Sequence, residues 1–471
     1  MHIIFLNPQG NFDQADSYLA EHSDFGGQLV YVKEVAQAMV DLGHRVDIVT
    51  RLIQDKSWPE FSAELDTYSG YEGSLRILRF ACGGSKFLEK EQLWPHMSEF
   101  VDNMLKFYGD TLPDFATGHY ADGGYCAVLA KRRAGLQFTF TGHSLGAQKM
   151  DKLGTSAKNW EDMNARFHFS KRIAAERLSM KNAAKIVVST GQEQKEQYAH
   201  PLYEGACNSS SNGRFSIIAP GVNDRVFSVV PGAADTVTAG KLTKILNGDE
   251  RPVTVVSSRL DEKKNIIGVV RAYARSRALQ ERAGLVICIR GIDNPEHDVH
   301  ALGASEKLVL EEILQAISEA EMRDNTYFLN IGSQAELAAT YRYFADRGSI
   351  FALTAFYEPF GLAPIEAAAS GLATVTTKNG GPSEIFSDGS GVLVDPFSED
   401  DIARGIIEGL TRHKELSLKA ITRVKATYTW RKTAENYIKT IIGQEGTQAL
   451  ASQDFLESLD ASKRIEGHLN M

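Results

Sequence analysis

Short apolar runs separated by longer amphipathic stretches recur along the chain, in two series with an irregular segment between them. This alternation is typical of strand–helix units that build a parallel sheet. The predicted strands are Ile3–Leu6, Val46–Thr50, Ile77–Phe80, Phe138–Thr141 and Ile186–Ser189 in the first series, and Val253–Ser257, Leu285–Arg290, Ser349–Thr354, Ala373–Thr376 and Val392–Val394 in the second. A helix is predicted from about Gln28 to Leu42, with Gly43 as its stop. We therefore predict an α/β protein.

The irregular segment, about residues 205–250, contains the polar run Asn208–Gly213 and a turn at Pro220–Gly221. Because 471 residues are too many for one ordinary core, the two series are assigned to separate Rossmann-like domains. The first covers residues 1–225, joined by a C-terminal helix at about 435–471, and the second covers residues 226–434. Facing domains of this kind would bind ligands in an interdomain cleft, at the carboxyl ends of their strands.

Composition excludes several classes of function. The formal net charge of −9, from 51 basic and 60 acidic residues, argues against a general nucleic-acid or anionic-membrane binder. The four cysteines include no C-x-x-C pair, which makes a disulfide framework or a structural zinc site improbable. No window approaches 18 consecutive apolar residues, and the short apolar N-terminus does not read as a signal peptide. We expect a cytoplasmic protein without nucleic-acid or membrane partners.

Two cationic side chains follow the first strand of the second series. Val253–Ser257 runs into a turn that carries Arg259 and Lys264. Cations at the carboxyl end of a strand can meet phosphate oxygens. A solvated basic turn would explain the same residues.

A second phosphate-compatible feature follows the strand Ser349–Thr354. Gly361 permits a close backbone approach, and a helix is predicted to begin near Leu362, where free N–H groups favour an anion. Glu366 falls in the second turn of that helix, where it can accept hydrogen bonds from ribose hydroxyls, and Glu358 precedes the helix, where it can bind sugar hydroxyls. Capping of the helix explains Glu358 alone, but it does not explain the whole set.

A different chemistry is suggested by Gly142–Gly146, which reads G-H-S-L-G and matches the nucleophile elbow of serine hydrolases. In that alternative Ser144 is the nucleophile, and His297, His300 or His413 serves as the base. The residues after the motif are more polar than a buried helix behind an elbow tolerates. The hydrolase alternative also assigns no function to the second α/β series.

Several motifs carry a family resemblance. The E-x7-E spacing of Glu358 and Glu366, with the Arg259/Lys264 turn, resembles the retaining glycosyltransferases of the GT-B fold. Other segments are similar to the sucrose-phosphate synthase family in particular: Asn7–Gly10, Phe25–Gln28, Trp94–Pro95, Thr141–Gly146 and Phe356–Gly361. The resemblance extends from residue 1 to about residue 440.

The resemblance implies roles on the donor side. Arg259 and Lys264 would neutralise the donor diphosphate, Glu366 would bind the ribose, and Glu358 would contact the glucose that is transferred. His143 would lie against that glucose. The remaining implied donor contacts are Gly26, Gly27, Phe360, Gly361 and Leu362. Family members need no metal or other cofactor, and this sequence contains no D-x-D motif.

On the acceptor side, Lys149 and Arg172 suggest an anionic substrate, although surface cations on a helix are the alternative. The resemblance assigns them to the phosphate of fructose 6-phosphate, and it adds the acceptor contacts Gln28, Lys90, Tyr120 and Asp122. The implied reaction moves glucose with retention from UDP- or ADP-glucose to fructose 6-phosphate, giving sucrose 6-phosphate. Because the sequence stops near residue 471 without a phosphatase-like region, a separate sucrose-phosphate phosphatase is expected downstream.

Two further alternatives stay open. Transfer to free fructose, as in sucrose synthases, would use the same donor machinery. A sugar-nucleotide-binding protein without catalysis would also keep the donor residues. Donor hydrolysis or transfer by the purified protein would separate a binder from an enzyme.

Overall fold

The computed structural model describes residues 1–17, 25–210, 213–444 and 459–470. It divides the chain into two compact units, one made of Met1–Ile218 with Thr433–Met471 and the other of Ala219–Lys432. The structure divides the chain after residues 218 and 432, whereas the sequence predicts divisions after residues 225 and 434. Part of the predicted polar run (residues 211 and 212) and of the predicted C-terminal helix (residues 445–458 and 471) lies outside the described residues.

The first unit is built on a sheet of eight strands in the order β3-β4-β2-β1-β5-β6-β7-β8. All pairings are parallel except β3 with β4. Its elements in chain order are β1 (His2–Leu6), α1 (Gly27–Asp41), β2 (Arg45–Arg51), β3 (Leu65–Asp66), β4 (Leu75–Phe80), α2 (Met97–Tyr108), β5 (Phe115–His119), α3 (Tyr120–Ala134), β6 (Phe138–Thr141), α4 (Gly146–Lys152), α5 (Trp160–Phe167), α6 (Phe169–Asn182), β7 (Lys185–Val188), α7 (Gly191–Glu196) and β8 (Phe215–Ile217).

The second unit carries a fully parallel six-stranded sheet in the order β11-β10-β9-β12-β13-β14. Its elements are α8 (Asp235–Leu246), β9 (Val253–Ser257), α9 (Ile266–Arg275), α10 (Arg277–Arg282), β10 (Gly284–Cys288), α11 (Ala304–Glu319), β11 (Thr326–Leu329), α12 (Gln334–Ala345), β12 (Ile350–Leu353), α13 (Leu362–Ala369), β13 (Ala373–Thr377), α14 (Gly381–Ile385), β14 (Val392–Val394), α15 (Glu399–Thr411) and α16 (His413–Thr427). After it, α17 (Trp430–Ile441) spans the division and α18 (Ser462–Leu469) belongs to the first unit.

Burial explains why the apolar runs become central strands. Ile3 through Leu6 of β1 are fully buried, as are Val253, Thr254 and Val255 of β9. Strands covered by helices on both faces read as continuous apolar runs, which is why these strands are found where the sequence predicts them. The predicted α/β fold with two Rossmann-like domains is confirmed. None of the helices in the described ranges is long and apolar enough to cross a bilayer.

The sequence analysis missed four strands, β3, β5, β8 and β11, and the helix α8, while α18 falls within the predicted C-terminal helix at about 435–471. The case of β5 has a steric reason. A Cβ on Gly118 would lie 2.9 Å from the Gly123 carbonyl oxygen, and one on Gly123 would lie 2.2 Å from the Leu6 carbonyl oxygen. The first turn of α3 therefore packs so closely on β5 and β1 that glycines replace the apolar residues by which strands are recognised.

Candidate functional site

In the second unit, two loops leave the carboxyl ends of the paired strands β9 and β12. The β9 loop carries Lys264 and the β12 loop carries Glu358. The Lys264 ammonium donates a hydrogen bond to Glu358 Oε2 over 2.6 Å, and both side chains are largely shielded from solvent. The structure thus brings together two of the residues assigned to the donor diphosphate and to the transferred sugar.

Asn265, next to Lys264, fixes the two loops to each other. Its backbone has φ +52°, a conformation that asparagine tolerates better than most residues. Its buried side-chain amide donates to the carbonyl oxygens of Thr354 and Pro396, at 3.0 and 2.9 Å. The Thr354 hydroxyl donates back to the Asn265 carbonyl at 3.1 Å. Lys264 is therefore held by its neighbour's hydrogen bonds as well as by its own ion pair.

The backbone of Glu358 pairs with the loop that follows β13. Glu358 N–H donates to the Asn379 carbonyl at 3.2 Å, and Gly381 N–H donates to the Glu358 carbonyl at 2.9 Å. A Cβ on Gly380 would lie 2.0 Å from the Glu358 oxygen, and one on Gly381 would lie 2.2 Å from the Phe360 oxygen. The paired glycines therefore allow a close backbone approach, here to the Glu358 loop itself.

Helix α13 begins at Leu362, the residue at which the sequence predicts it to begin. Gly361 precedes it with φ +110°, no side chain caps it, and its first turn contains no acidic residue. Pro364 has no N–H, which leaves the amides of Leu362 and Ala363 as the open donors of the first turn. Phe360 is buried and packs edge-on against Tyr428. The helix start is therefore rigid and suited to an anion.

Glu366 and Arg259 differ in environment. Burial raises the pKa of the Glu366 carboxyl to about 7. Arg259 is exposed and lines a cavity of about 500 Å³ together with acidic side chains of the β9 loop and α11. Within the described residues Arg259 makes no hydrogen bond to Lys264 and no ion pair with Glu358. The structure therefore does not bring Arg259 into contact with the Lys264–Glu358 pair.

In the first unit, α1 starts directly after Gly26. No side chain caps α1, and its first turn contains no acidic residue. A Cβ on either Gly26 or Gly27 would meet nothing within 4 Å, so the fold itself does not require glycine there. Phe25, just before them, is buried and stacks on Trp58 at 5.6 Å. The two glycines thus follow an anchored residue and expose backbone amides to an incoming ligand. Gln28 is half-buried in the same turn.

Four of the residues assigned to the acceptor line one small pocket of the first unit. They come from three separate segments of the chain, and the lining consists of Gln9, Lys90, Glu91, Trp94, Tyr120, Asp122, Phe167 and Arg172. The cavity volume is about 20 Å³, which is room for little more than one water molecule. A sugar phosphate therefore requires side chains to move outward. The Lys149 ammonium lies 4.5 Å from the centre of the ring of Phe167, one of these lining residues.

Arg172 is more deeply engaged than a surface cation. It is buried, pairs with the fully buried Glu176 at 3.1 Å, donates to the Ser144 carbonyl, and lies 4.5 Å over the Tyr120 ring. Glu176 also accepts the Gly146 N–H at 2.9 Å and the Tyr203 hydroxyl. The alternative of a solvated surface cation is therefore wrong for Arg172.

His143 has φ +55°, in the left-handed region, which histidine enters more often than most residues other than glycine. Its Nε2 lies 2.9 Å from Nδ1 of the fully buried His119, whose Nε2 lies 2.9 Å from the Thr117 hydroxyl. Desolvation lowers the pKa of His143 to about 4, and desolvation, followed by the charge of His143, lowers the pKa of His119 well below its usual value. Both rings are neutral at pH 7. Sequence analysis did not single out His119, because the strand that ends there was missed.

Ser144 has no histidine partner among the residues described. The neighbouring His143 is bonded to His119, and the Ser144 carbonyl accepts Arg172. His297, His300 and His413 all belong to the other unit. Among the described residues of the first unit, no histidine forms with Ser144 the pair that the hydrolase alternative needs.

One group in the described ranges has metal-ligand chemistry: Asp151, His200 and His468. However, His200 Nδ1 accepts the Leu202 N–H at 3.1 Å, so the ring proton resides on Nε2, which faces Asp151 at 3.1 Å. His200 therefore forms an internal hydrogen bond with Asp151, and its protonated Nε2 has no lone pair to offer a metal. We assign no metal to this group.

Comparison with known proteins places these units in a class. Residues 1–242 match the family described as sucrose synthase first GT-B domain, and residues 241–427 match glycosyl transferases group 1. The solved structure of sucrose-phosphate synthase from Thermosynechococcus elongatus superimposes with a TM-score of 0.66 at 22% identity, covering 94% of this chain and 98% of that one. Anabaena HepE, solved in complex with UDP-glucose, gives 0.58 at 15% identity and covers 94% and 100%. The protein is a glycosyltransferase of the GT-B fold.

The sequence relatives define the family within that class. A probable sucrose-phosphate synthase of Thermosipho melanesiensis is 42% identical over 443 residues, covering 94% of this chain and 96% of the relative. The chain belongs to the sucrose-phosphate synthase family. It spans less than half the length of the plant relatives it matches, for example 47% of the maize protein.

Proposed function

We propose that the protein transfers glucose, with retention, from a nucleotide diphosphate glucose to the C2 hydroxyl of fructose 6-phosphate. UDP-glucose and ADP-glucose are the proposed donors, and the products are sucrose 6-phosphate and the nucleoside diphosphate. The observation that carries the phosphorylated acceptor is the pocket lined by Lys90 and Arg172, together with the Lys149 ammonium against the lining residue Phe167. Cations around a polar pocket favour a sugar phosphate over a neutral sugar.

The donor half of the proposal rests on the second unit. Lys264 and the open amides of α13 supply fixed positive charge and dipoles, the kind of preorganised environment that stabilises a departing diphosphate. The Glu366 carboxyl accepts the ribose hydroxyls, and Glu358 orients the glucose. Arg259, an exposed cation, contacts the diphosphate of the bound donor.

In the proposed reaction the bond between glucose C1 and the diphosphate oxygen breaks, and a bond from C1 to the fructose C2 oxygen forms on the same face. The acceptor hydroxyl proton passes to the departing phosphate oxygen, so atoms and charge balance. Neither His119 nor His143 is required as a base, which fits their lowered pKa values. A phosphatase that hydrolyses sucrose 6-phosphate is the partner activity proposed to consume the product.

The test is a matrix of UDP-, ADP- and GDP-glucose against fructose and fructose 6-phosphate, with products identified by mass spectrometry and the anomeric linkage by NMR. We expect a phosphorylated disaccharide with an α-glucosyl linkage, formed only with fructose 6-phosphate. Preference for free fructose would overturn the acceptor assignment in favour of sucrose synthase-like transfer. Donor binding with neither transfer nor hydrolysis would indicate a binding protein.

A further inference from the structure

The buried chain Thr117–His119–His143 determines where His143 carries its proton. His119 has no exposed surface; it stacks on Phe5 with ring centres 5.3 Å apart. Both of its ring nitrogens are committed, Nε2 to the Thr117 hydroxyl and Nδ1 to His143 Nε2, each at 2.9 Å. The Tyr31 ring meets His143 edge-on at 5.0 Å, so the His143 ring is held on two sides.

A neutral imidazole has one N–H donor and one lone pair, so only two proton arrangements fit this chain. In the first, Thr117 donates to His119 Nε2, His119 Nδ1 donates to His143 Nε2, and His143 carries its proton on Nδ1. In the second, every donor is reversed: His143 donates through Nε2, and His119 donates through Nε2 to the Thr117 oxygen. His143 Nδ1 is then a bare lone pair.

Thr117 decides between the two arrangements. In the first arrangement its hydroxyl proton is used by His119. In the second that proton needs another acceptor, and the described residues offer the Thr117 hydroxyl no partner besides His119. Thr117 is fully buried, so an unsatisfied hydroxyl proton there costs about 1–3 kcal/mol. His143 is partly exposed, and its Nδ1 can be satisfied by water or ligand in either case.

We propose that His119 is a positioning residue that, together with Thr117, fixes His143 in the tautomer that presents a neutral Nδ1–H as a hydrogen-bond donor to an oxygen of the bound sugar. The ligand part of this inference rests on the proposed function, whereas the tautomer does not. A cationic histidine would be attracted to the diphosphate as well as to the sugar. A neutral N–H donor selects the sugar oxygen because its hydrogen bond depends on the position and direction of the acceptor.

The first experiment is ring-15N NMR of the full chain labelled at histidine, with the His143 signals assigned by their loss in His143→Gln. We expect a protonated Nδ1 and a bare Nε2 in the wild type. Thr117→Ser keeps the hydroxyl and should preserve this pattern. Thr117→Val has nearly the same shape but no hydroxyl, and it should give a mixture of tautomers. A wild type protonated on Nε2, or a Val variant indistinguishable from wild type, would overturn the proposal.

The second experiment uses His119→Leu, which removes the hydrogen bond, and His119→Asn, whose amide nitrogen can replace Nδ1 as a donor. We expect His119→Leu to lower kcat/KM for the donor about tenfold, as for one lost hydrogen bond, and His119→Asn to lower it less than about threefold. In a His143→Gln background His119→Leu should have no further effect, because it acts through His143; an additive loss would contradict the proposal. A wild type without transfer activity would refute the proposed function but leave the NMR result decisive for the tautomer.

Discussion

Lys264 and Glu358 are bonded to each other across 2.6 Å. The cation assigned to the diphosphate and the carboxylate assigned to the sugar therefore form an ion pair with each other. In the proposed donor complex the phosphate would pair with Lys264 while the sugar hydroxyls donate to Glu358. We therefore expect nucleotide and sugar recognition to be coupled through this contact.

Lys264→Ala should weaken UDP-glucose binding about tenfold to a hundredfold, the range for loss of a charged hydrogen bond. Lys263→Ala is the matched control, because it removes the same charge one residue earlier, from an exposed side chain. Calorimetric titration at one ionic strength measures both. Equal losses in the two variants would mean that general attraction by the turn matters, and not the Lys264 contact.

Glu358→Gln should raise the affinity for UDP severalfold while lowering turnover with UDP-glucose about a hundredfold, the loss typical of one preorganised polar contact. The affinity for UDP rises because the Lys264 ammonium is no longer held by a negatively charged partner. Turnover falls because the glucose loses its orienting carboxylate. Near-normal turnover would contradict the orienting role, and unchanged UDP affinity would contradict the coupling.

Lys149→Ala should raise KM for fructose 6-phosphate about tenfold, since one charge-assisted contact to phosphate is lost. Any transfer to free fructose should be unaffected. Lys152→Ala, at the exposed end of the same helix α4, serves as the control and should change either KM less than about twofold. A parallel loss with both sugars would show that Lys149 supports the helix and does not recognise the phosphate.

Arg172→Met should destabilise the first unit by about 3–5 kcal/mol, because it leaves the fully buried Glu176 carboxylate without its ion pair. The double variant Arg172→Met with Glu176→Gln should recover part of the loss, since the uncompensated charge is gone. Urea unfolding followed by tryptophan fluorescence measures this, as Trp58, Trp94 and Trp160 all lie in that unit. A double variant less stable than the single one would contradict the argument.

The affinity for UDP-glucose should depend on pH through Glu366. Its pKa of about 7 leaves the carboxyl mostly protonated at pH 6 and mostly ionised at pH 8. Ribose hydroxyls favour the ionised form, so binding should strengthen up to about tenfold over this interval. Because folding raises this pKa from about 4.5, Glu366 also lowers the free energy of unfolding as pH rises from about 4.5 to about 7. Glu366→Gln should flatten both profiles; a profile unchanged in that variant would assign the titration to another group.

The donor loops were predictable from sequence because their chemistry is local. Gly361 and the start of α13 at Leu362 are adjacent in the chain, and Lys264 lies in the turn that follows an obvious strand. The residues of the acceptor pocket came from the family resemblance and not from local chemistry, since Lys90, Tyr120 and Arg172 belong to distant segments that only the fold assembles. His119 was missed for a steric reason: Gly118 removes the strand signal where α3 packs against β5. The buried carboxylate opposite Arg172 had no sequence signature.

The contact between Gly146 N–H and Glu176 has a consequence for how the G-H-S-L-G letters should be interpreted. In a hydrolase, the turn after the nucleophile stabilises a developing oxyanion with open backbone donors. Here the first amide of α4 already donates to the Glu176 carboxylate, whose charge is paired with Arg172. Engineering an esterase from this segment would therefore require freeing that amide from Glu176 as well as introducing a histidine. The spelling of a catalytic motif can be complete while the backbone donors on which it depends are already bonded.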